Sequence, residues 1–584
     1  MSERRQMSVF PAVTASELTV AVQQAATQSV TNRGAVFTRL EVVDAILDMV
    51  GYDPAHDLRA LRLLEPSMGE GEFLLPALDR LLDSYQRRGG TPASAAGELA
   101  NSLFGVEIHA DSLSTAIDRL VVRLVAWGME RTAAQRLARG WTLQADFLLT
   151  DIAATFDFVV GNPPYVRQER IPAVLLSEYR RRYATLYDRA DLYVPFFERC
   201  LDLLAATGTL GFIAANRWMK NRYGGPLRGK VSADYQLVAF IDMEKSNPFY
   251  SEVMAYPAIT ILRRKERGSK NTTRWACHPE VSPSSMRRLS AAVRNGGPVS
   301  DRRIREVQVV GLGREPWLVE EPEVVAVLRA LEEALPPLEE AHCKVGIGVA
   351  TGLDRVFIGS LDALPVEEER KLPLLMAGDL QGGQLVWSGM GVINPYEPDG
   401  SLASLEAWPR FASYLEGHRD RIAARHVARK DPLRWYKTID RVYPELARRP
   451  KLLIPDIKGT ATVGFDEGRY YPHHNLYYIT SDHWDLRALQ TILRSSVAML
   501  FVGSYSTAMS GGFLRFQAQY LRRIRLPIWD GVPAVLREQL IAVSQSDATE
   551  VLDEPVLALY GLRGQEATRV VDFAKAKRVR SGKE

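Results

Sequence analysis

The sequence predicts an α/β fold built on a doubly wound sheet, with a second, α+β domain following it. Three observations predict this. Short apolar runs alternate with stretches of helical periodicity from about 31 to 263; the texture turns polar and breaker-rich near 265–300; short strands with many Gly and Pro resume from about 305 to 530. Strand–helix alternation implies parallel crossovers and a sheet covered on both faces.

The strand candidates are, in order, "LRLLE" (61–65), "LFGVE" (103–107), "FDFVVG" (156–161), "GTLGFIA" (208–214), "LVAFID" (237–242) and "AITIL" (258–262). Helical stretches at 73–87, 110–127 and 191–206 lie between them. The stretches "KERGSKNTTR" and "SPSSMRR" read as a linker or domain edge. Residues 1–30 carry no strong signature, no repeat of fixed period is present, and the chain ends in a basic stretch, "FAKAKRVRSGKE".

Composition narrows the class. The 584 residues are 46% hydrophobic and 24% charged, an ordinary globular balance. No apolar run approaches the roughly 18–20 residues of a membrane helix, and the N-terminus lacks the apolar core of a secretory signal. Cys200, Cys277 and Cys343 are odd in number and far apart, which argues against disulfides or a zinc site and fits a reducing cytoplasm. A net charge of +3 does not by itself point to nucleic acid.

Four stretches carry chemistry. In "LLEPSMGEGEFL" (63–74) a strand ends at Glu65, and Gly69 and Gly71 let the backbone pass close to a ligand before a helix begins. "LFGVEIHADSL" (103–113) ends a second strand in Glu107, an acid placed to accept from both hydroxyls of a ribose. "LQADFLL" (143–149) sets Asp146 after a third strand, where it could accept from an adenine amino group. "FVVGNPPYVRQ" (158–168) ends the fourth strand in Asn162, Pro163, Pro164 and Tyr165. The prolines stiffen that loop, Asn offers an amide oxygen, and Tyr a flat face. Each stretch alone also reads as an ordinary turn, cap or surface acid; their succession at four strand tips is the stronger signal.

That succession resembles the adenine-N6 DNA methyltransferases of the TaqI/Eco57I type, in which the catalytic domain comes first and the target recognition domain last. The resemblance implies S-adenosyl-L-methionine as cofactor, held by Glu65, Pro66, Gly69 and Gly71 at its methionine end, Glu107 and Ile108 at the ribose, and Asp146 and Phe147 at the adenine, with Asn162 at the junction with the target base. "RGAVFTRLEVVDAILDMV" (33–50) is similar to the family's leading cofactor segment, with Thr38-Arg39 where the family has Thr-Pro; Phe37 and Thr38 are its cofactor candidates. "RADLYVPFFERCLDLLAATGTLGFIAANRWMKN" (189–221) and "PFYSEVMAYPAITILRR" (248–264) resemble the family's later elements. Phe249, with Tyr250 as the nearby alternative, stands where the family places an aromatic against the flipped base.

The implied domains are an N-terminal extension (1–30), a methyltransferase catalytic domain with a Rossmann-like sheet (31–265), a linker (266–304), a target recognition domain (305–535) and a C-terminal helical segment with a basic tail (536–584). "KVGIGVATGLDRVFI" (344–358), "RPKLLIPDI" (449–457), "RWYK" (434–437) and "SYSTAMSGGFLRFQAQYLRRIRLP" (504–527) resemble stretches of TaqI-type and Eco57I-type recognition domains. Independently, residues 419–451 hold eleven Lys/Arg against four Asp/Glu with Trp435, Tyr436 and Tyr443 interleaved, a composition that suits a phosphate backbone. Arg434, Trp435, Tyr436, Lys437 and Lys458 are the DNA-binding candidates.

The expected activity is site-specific methylation of adenine N6 in double-stranded DNA, in a restriction–modification or phage-defence system of the bacterial cytoplasm. The partners expected are DNA and a cognate restriction endonuclease or defence proteins, with the chain a monomer and no membrane. No metal and no covalent nucleophile is required. The same fold acting on RNA or a protein amide, and a non-catalytic DNA-recognition subunit, are the alternatives.

Overall fold

The computed structural model describes residues 14–27, 36–251, 256–265, 272–295, 304–308, 313–318, 320–458, 462–506 and 514–578. It divides into two compact units, Met1–Val319 and Glu320–Glu584. No helix among the described residues is long and apolar enough to cross a membrane.

The first unit is a nine-stranded mixed sheet covered by helices. Its strands are β1 (Leu63–Glu65), β2 (Leu103–Glu107), β3 (Thr142–Gln144), β4 (Phe156–Gly161), β5 (Leu204–Ala215), β6 (Tyr235–Asp242), β7 (Pro257–Arg264), β8 (Thr272–Cys277) and β9 (Ile304–Gln308), in the order β3-β2-β1-β4-β5-β7-β6-β8-β9. The first five are parallel to one another. The chain runs outward from β1 through β2 to β3, then returns to lay β4 on the other side of β1. The order therefore reverses between β1 and β4, and ligands of open α/β sheets bind outside the carboxyl ends of strands at such a point. Glu65 and Gly161 are the last residues of those two strands.

The helices form where apolar residues recur at three- and four-residue spacing. Leu74–Arg87 buries Leu74, Ala77, Leu78, Leu81, Leu82 and Tyr85 on one face. Leu40–Val50 buries Val42, Val43, Ala45, Ile46, Leu47, Met49 and Val50 and lies flush on β5, where a Cβ on Gly211 would come 2.5 Å from Val50 Cγ1. Arg80 bridges Asp44 and Asp48, fixing this helix to its neighbour.

Two expectations are corrected. "AITIL" does not continue a parallel sheet: β7 inserts antiparallel between β5 and β6. Nor do residues 266–304 behave as a linker where they are described. Thr272–Cys277 pairs parallel with β6, Pro283–Asn295 is a helix against Leu40–Val50, and Ile304–Gln308 closes the edge against β8. Of these, only β9 is an edge strand; β8 is paired on both sides. Residues 266–271 and 296–303 lie outside the described residues. Within 1–30, Thr14–Glu17 forms a reciprocal capping box that starts a helix, Ala15–Ala26.

The second unit contains two four-stranded sheets. One is antiparallel, in the order Cys343–Ile347, Leu476–Ser481, Lys451–Pro455, Gly464–Asp466; the other runs Ile358–Ser360, Met390–Ile393, Lys371–Leu375, Tyr471–Pro472. Helices Leu486–Arg494, Ser496–Tyr505, Thr549–Leu559 and Gly564–Arg578 belong to the same unit. The end of the basic tail, 579–584, lies outside the described residues.

Candidate active site

The turn after β1 carries the left-handed residues Gly69 (φ +53°) and Gly71 (φ +91°), conformations that cost other residues most. The turn is held by Met68 N–H donating to Val106 O (3.0 Å) and Gly71 N–H to Met68 O (2.7 Å). Glu107, at the tip of β2, accepts from Gly69 N–H at 2.8 Å and His109 N–H at 2.9 Å. One carboxylate thus ties the glycine turn to the next strand.

Glu65 is almost fully buried. Its Oε1 accepts a long bond from Phe73 N–H (3.4 Å), and its Oε2 is buried without a partner. Burial, reinforced by the like charge of Glu72, holds its carboxyl well above the usual carboxylate range. Burial likewise pushes the Glu72 carboxyl up to about 7.

Asp146, beyond β3, is buried and accepts from Leu148 N–H (2.9 Å) and from the Tyr179 hydroxyl. Burial raises its carboxyl pKa above the ordinary value, against the lowering effect of the Tyr179 bond.

The Asn162 amide is oriented by the leading segment. Nδ2 donates to Val36 O (2.9 Å) and to Thr38 Oγ1 (3.3 Å), while Oδ1 is buried with no partner. The leading segment is itself pinned: Thr38 bridges Phe249, Tyr250 N–H donates to Phe37 O (3.1 Å), and Arg39 N–H to Pro248 O (3.0 Å). Sequence positions more than two hundred residues apart therefore meet behind the Asn162 side chain.

One open cleft gathers these groups. It is lined by Phe37, Thr38, Glu65, Pro66, Gly69, Glu107, Ile108, Asp146, Phe147, Asn162 and Pro164 among the sequence candidates. Gly71 shapes the turn instead of lining the cleft, and Pro163 is buried beneath it. Residues that sequence reasoning missed also line it: Glu72, His109, Tyr179 and Phe196, with Ala25 from the N-terminal helix. The His109 ring bonds Ala26 O at 2.7 Å, which holds that helix at the cleft. The capping box was a readable signal for the helix. Nothing in the sequence marks Tyr179, whose hydroxyl meets Asp146 only through the fold.

Tyr165 and Phe249 stand edge to face, with ring centroids 6.3 Å apart at 80°. Phe249 is 4% exposed and belongs to the core, whereas Tyr250 is 69% exposed. The Tyr165 hydroxyl is buried without a partner, which raises its pKa. A flat base cannot lie between these rings unless one changes rotamer.

Comparison with known proteins follows the same division. Residues 101–249 match the Eco57I restriction-modification methylase model, and residues 410–528 match the TaqI-like C-terminal specificity domain. The Type II methyltransferase M.XhoI of Xanthomonas vasicola is 52% identical over 535 residues, covering 91% of this chain and 98% of that protein. The chain belongs to the Type II restriction–modification methyltransferases. M.PaeR7I of Pseudomonas aeruginosa, 51% identical, covers 91% of this methyltransferase and 92% of its own length. The solved Type IIL restriction-modification enzyme MmeI shares the fold at a TM-score of 0.59 and 13% identity, covering 93% of this chain and 77% of its own.

In the specificity domain of the methyltransferase the basic segment divides into interior and surface. Trp435 is 6% and Tyr436 8% exposed; both belong to a core cluster with Phe411 and Leu415, and the Tyr436 hydroxyl donates to Ala403 O at 2.8 Å. The expectation that these rings offer faces to DNA is corrected: burial of their large apolar area takes them inside. The buried Arg425 guanidinium staples the segment, donating to Thr351 O, Trp435 O and Lys437 O at 2.7–3.0 Å. Lys451 is fully buried against Asp466 at 2.6 Å. Arg434 is exposed, and Lys437 pairs with Asp431 at 2.9 Å. The backbone of Lys458 pairs in a short ribbon with Leu514–Arg515, and its side chain lies outside what is described.

Proposed function

We propose that this methyltransferase transfers a methyl group from S-adenosyl-L-methionine to N6 of an adenine flipped out of double-stranded DNA. The observation that carries the reading is Asn162 Oδ1, a buried amide oxygen with no partner whose orientation is fixed by two bonds from its own Nδ2. A buried acceptor without a donor costs about 1–3 kcal/mol, so its persistence is a demand for a ligand donor. An exocyclic amino group supplies one.

The donor set of the cleft suits the cofactor. Glu65 Oε2 is a second orphaned buried acceptor, at the end of the strand that leads into the glycine turn. Glu65, Pro66, Gly69 and Gly71 would hold the methionine end, Glu107 and Ile108 the ribose, and Asp146 and Phe147 the adenine, with Phe37 and Thr38 closing the cleft. When bound, S-adenosyl-L-methionine supplies an electrophilic methyl group.

The chain's own groups then act on the target. A stacked adenine cannot reach a cleft, so it must be extruded at a cost of a few kcal/mol. Asn162 Oδ1 and the Pro163 carbonyl accept hydrogen bonds from the two amino N–H groups, which concentrates electron density on the nitrogen and aims it; one of these hydrogens is lost as a proton when the nitrogen takes the methyl group. Tyr165 stacks on the base, and Phe249 backs Tyr165. Positioning and preorganised acceptors supply the rate enhancement. The match to a specificity domain supports DNA as the substrate, with exposed cations such as Arg434 on the phosphates. The deciding experiment expresses the chain in a methylation-free host and sequences modified bases. N6-methyladenine at one recurrent site is expected; an unmodified genome overturns the reading.

A further inference from the structure

The methyl-donor end of the cleft holds an unusual charge arrangement. Glu65 and Glu72 both line it; Glu65 is buried and leaves one oxygen without a partner, and Glu72 is half-buried beside it. Among the described residues neither has a cationic side chain within salt-bridge distance. Arg119, the cation that acts on Glu72, is engaged by Glu70, with Nη2 3.0 Å from its carboxylate and Nη1 donating to its carbonyl. Glu72 curls back over the glycine turn: a Cβ on Gly69 would meet its Oε2 at 2.8 Å. Glu107 also faces Glu65 but is engaged by the Gly69 and His109 amides.

Two neighbouring carboxyl groups with no cation between them hold their protons, and a cation that joins them favours the charged form. We infer that Glu72 pairs with Glu65 to read the positive charge of the methyl donor, so that the cleft prefers S-adenosylmethionine over its neutral demethylated product. This rests on the cofactor reading above and extends it to a residue that reading does not use. The sulfonium charge is lost with the methyl group, so the product leaves the pair uncompensated and is released. The preference is proton-linked. Glu72, with its carboxyl near 7, is about half protonated at neutral pH and must lose that proton to face a cation. Cation affinity therefore rises as pH climbs through 7 and falls below it. Beyond burial, Glu70 pushes Glu72 towards protonation and Arg119 opposes it, while Glu72 and Glu107 push Glu65 the same way.

Calorimetry on the full chain tests this with three ligands: S-adenosylmethionine, S-adenosylhomocysteine and sinefungin, which carries a protonated amine in place of the sulfonium. Titrations at pH 6, 7 and 8 in buffers of different ionisation enthalpy count the protons released. The wild type should hold the two cationic ligands about tenfold more tightly than the neutral one at pH 8, less so at pH 6, and release on the order of half a proton at pH 7. Glu72→Gln should bring the ratio towards one and abolish the release, with S-adenosylhomocysteine affinity within about threefold of wild type; Glu72→Asp should retain part of the ratio. Equal loss for all three ligands in Glu72→Gln, or no proton release by the wild type, overturns the inference. A wild type that binds all three equally overturns the inference alone, whereas one that binds none overturns the cofactor reading with it.

Discussion

The strand-tip cleft and the "RWYK" segment both looked like functional sites in sequence, yet the fold treats them in opposite ways. Glu65, Glu107, Asp146 and Asn162 are brought to one cleft, and two of them keep an orphaned buried oxygen. Trp435 and Tyr436 are drawn into a core, and the Tyr436 hydroxyl is satisfied there. The difference lies in what the backbone enforces. Residues that follow parallel strands must emerge at the same sheet edge, whatever their side chains prefer. Residues of an irregular segment are free to turn, and large rings turn inward.

Mutations can break this comparison. The largest effect is expected at Asn162→Ala, which should lower methylation turnover by about 10²–10³-fold, the loss typical of one preorganised charge-stabilising group, with S-adenosylmethionine affinity little changed. Single-turnover kinetics with unchanged rates would remove Asn162 from the chemistry. Trp435→Ala should act on the other side of the comparison, destabilising the specificity domain by about 3–5 kcal/mol through cavity formation. Denaturant unfolding monitors this; a stable variant with weakened DNA binding would instead return Trp435 to the interface.

Glu107→Ala should act on cofactor affinity rather than on turnover. Its carboxylate holds Gly69 N–H and His109 N–H, and losing charged hydrogen bonds of this kind costs about 1.5–3 kcal/mol each. Weaker cofactor binding by calorimetry is the expected result, and equal affinity would dissociate the acid from the ribose. Arg434→Ala should have the smallest effect. Stability should stay within about 0.5 kcal/mol, as for ordinary surface changes. DNA affinity should fall uniformly across sequences, with the salt slope reduced by about 1. A site-selective loss would mean that Arg434 reads bases.

Much of the cleft could be read from residue order alone, because Glu65, Glu107, Asp146 and Asn162 each follow a short apolar strand. Other parts could not. β7 is as apolar as the parallel strands, and only its pairing with β5 and β6 reveals it as antiparallel. The polar texture around Thr272–Cys277 concealed a strand paired on both sides, with β6 and β9. Glu72 sits in plain view between Gly71 and Phe73, but its direction depends on the left-handed backbone at Gly69 and Gly71.

By itself the sequence determined the α/β class, the strand tips that carry acids and amide, and the stiff Asn-Pro-Pro-Tyr loop, since these depend on local period and residue chemistry. Tertiary structure decided which atoms are left wanting a partner. Asn162 Oδ1 is orphaned only because Val36 and Thr38 take the other end of the amide, and Trp435 is a core residue only because Arg425 folds its segment inward. Local pattern places a residue on the chain; the long-range contacts around it decide whether its polar groups face water, a partner or a ligand.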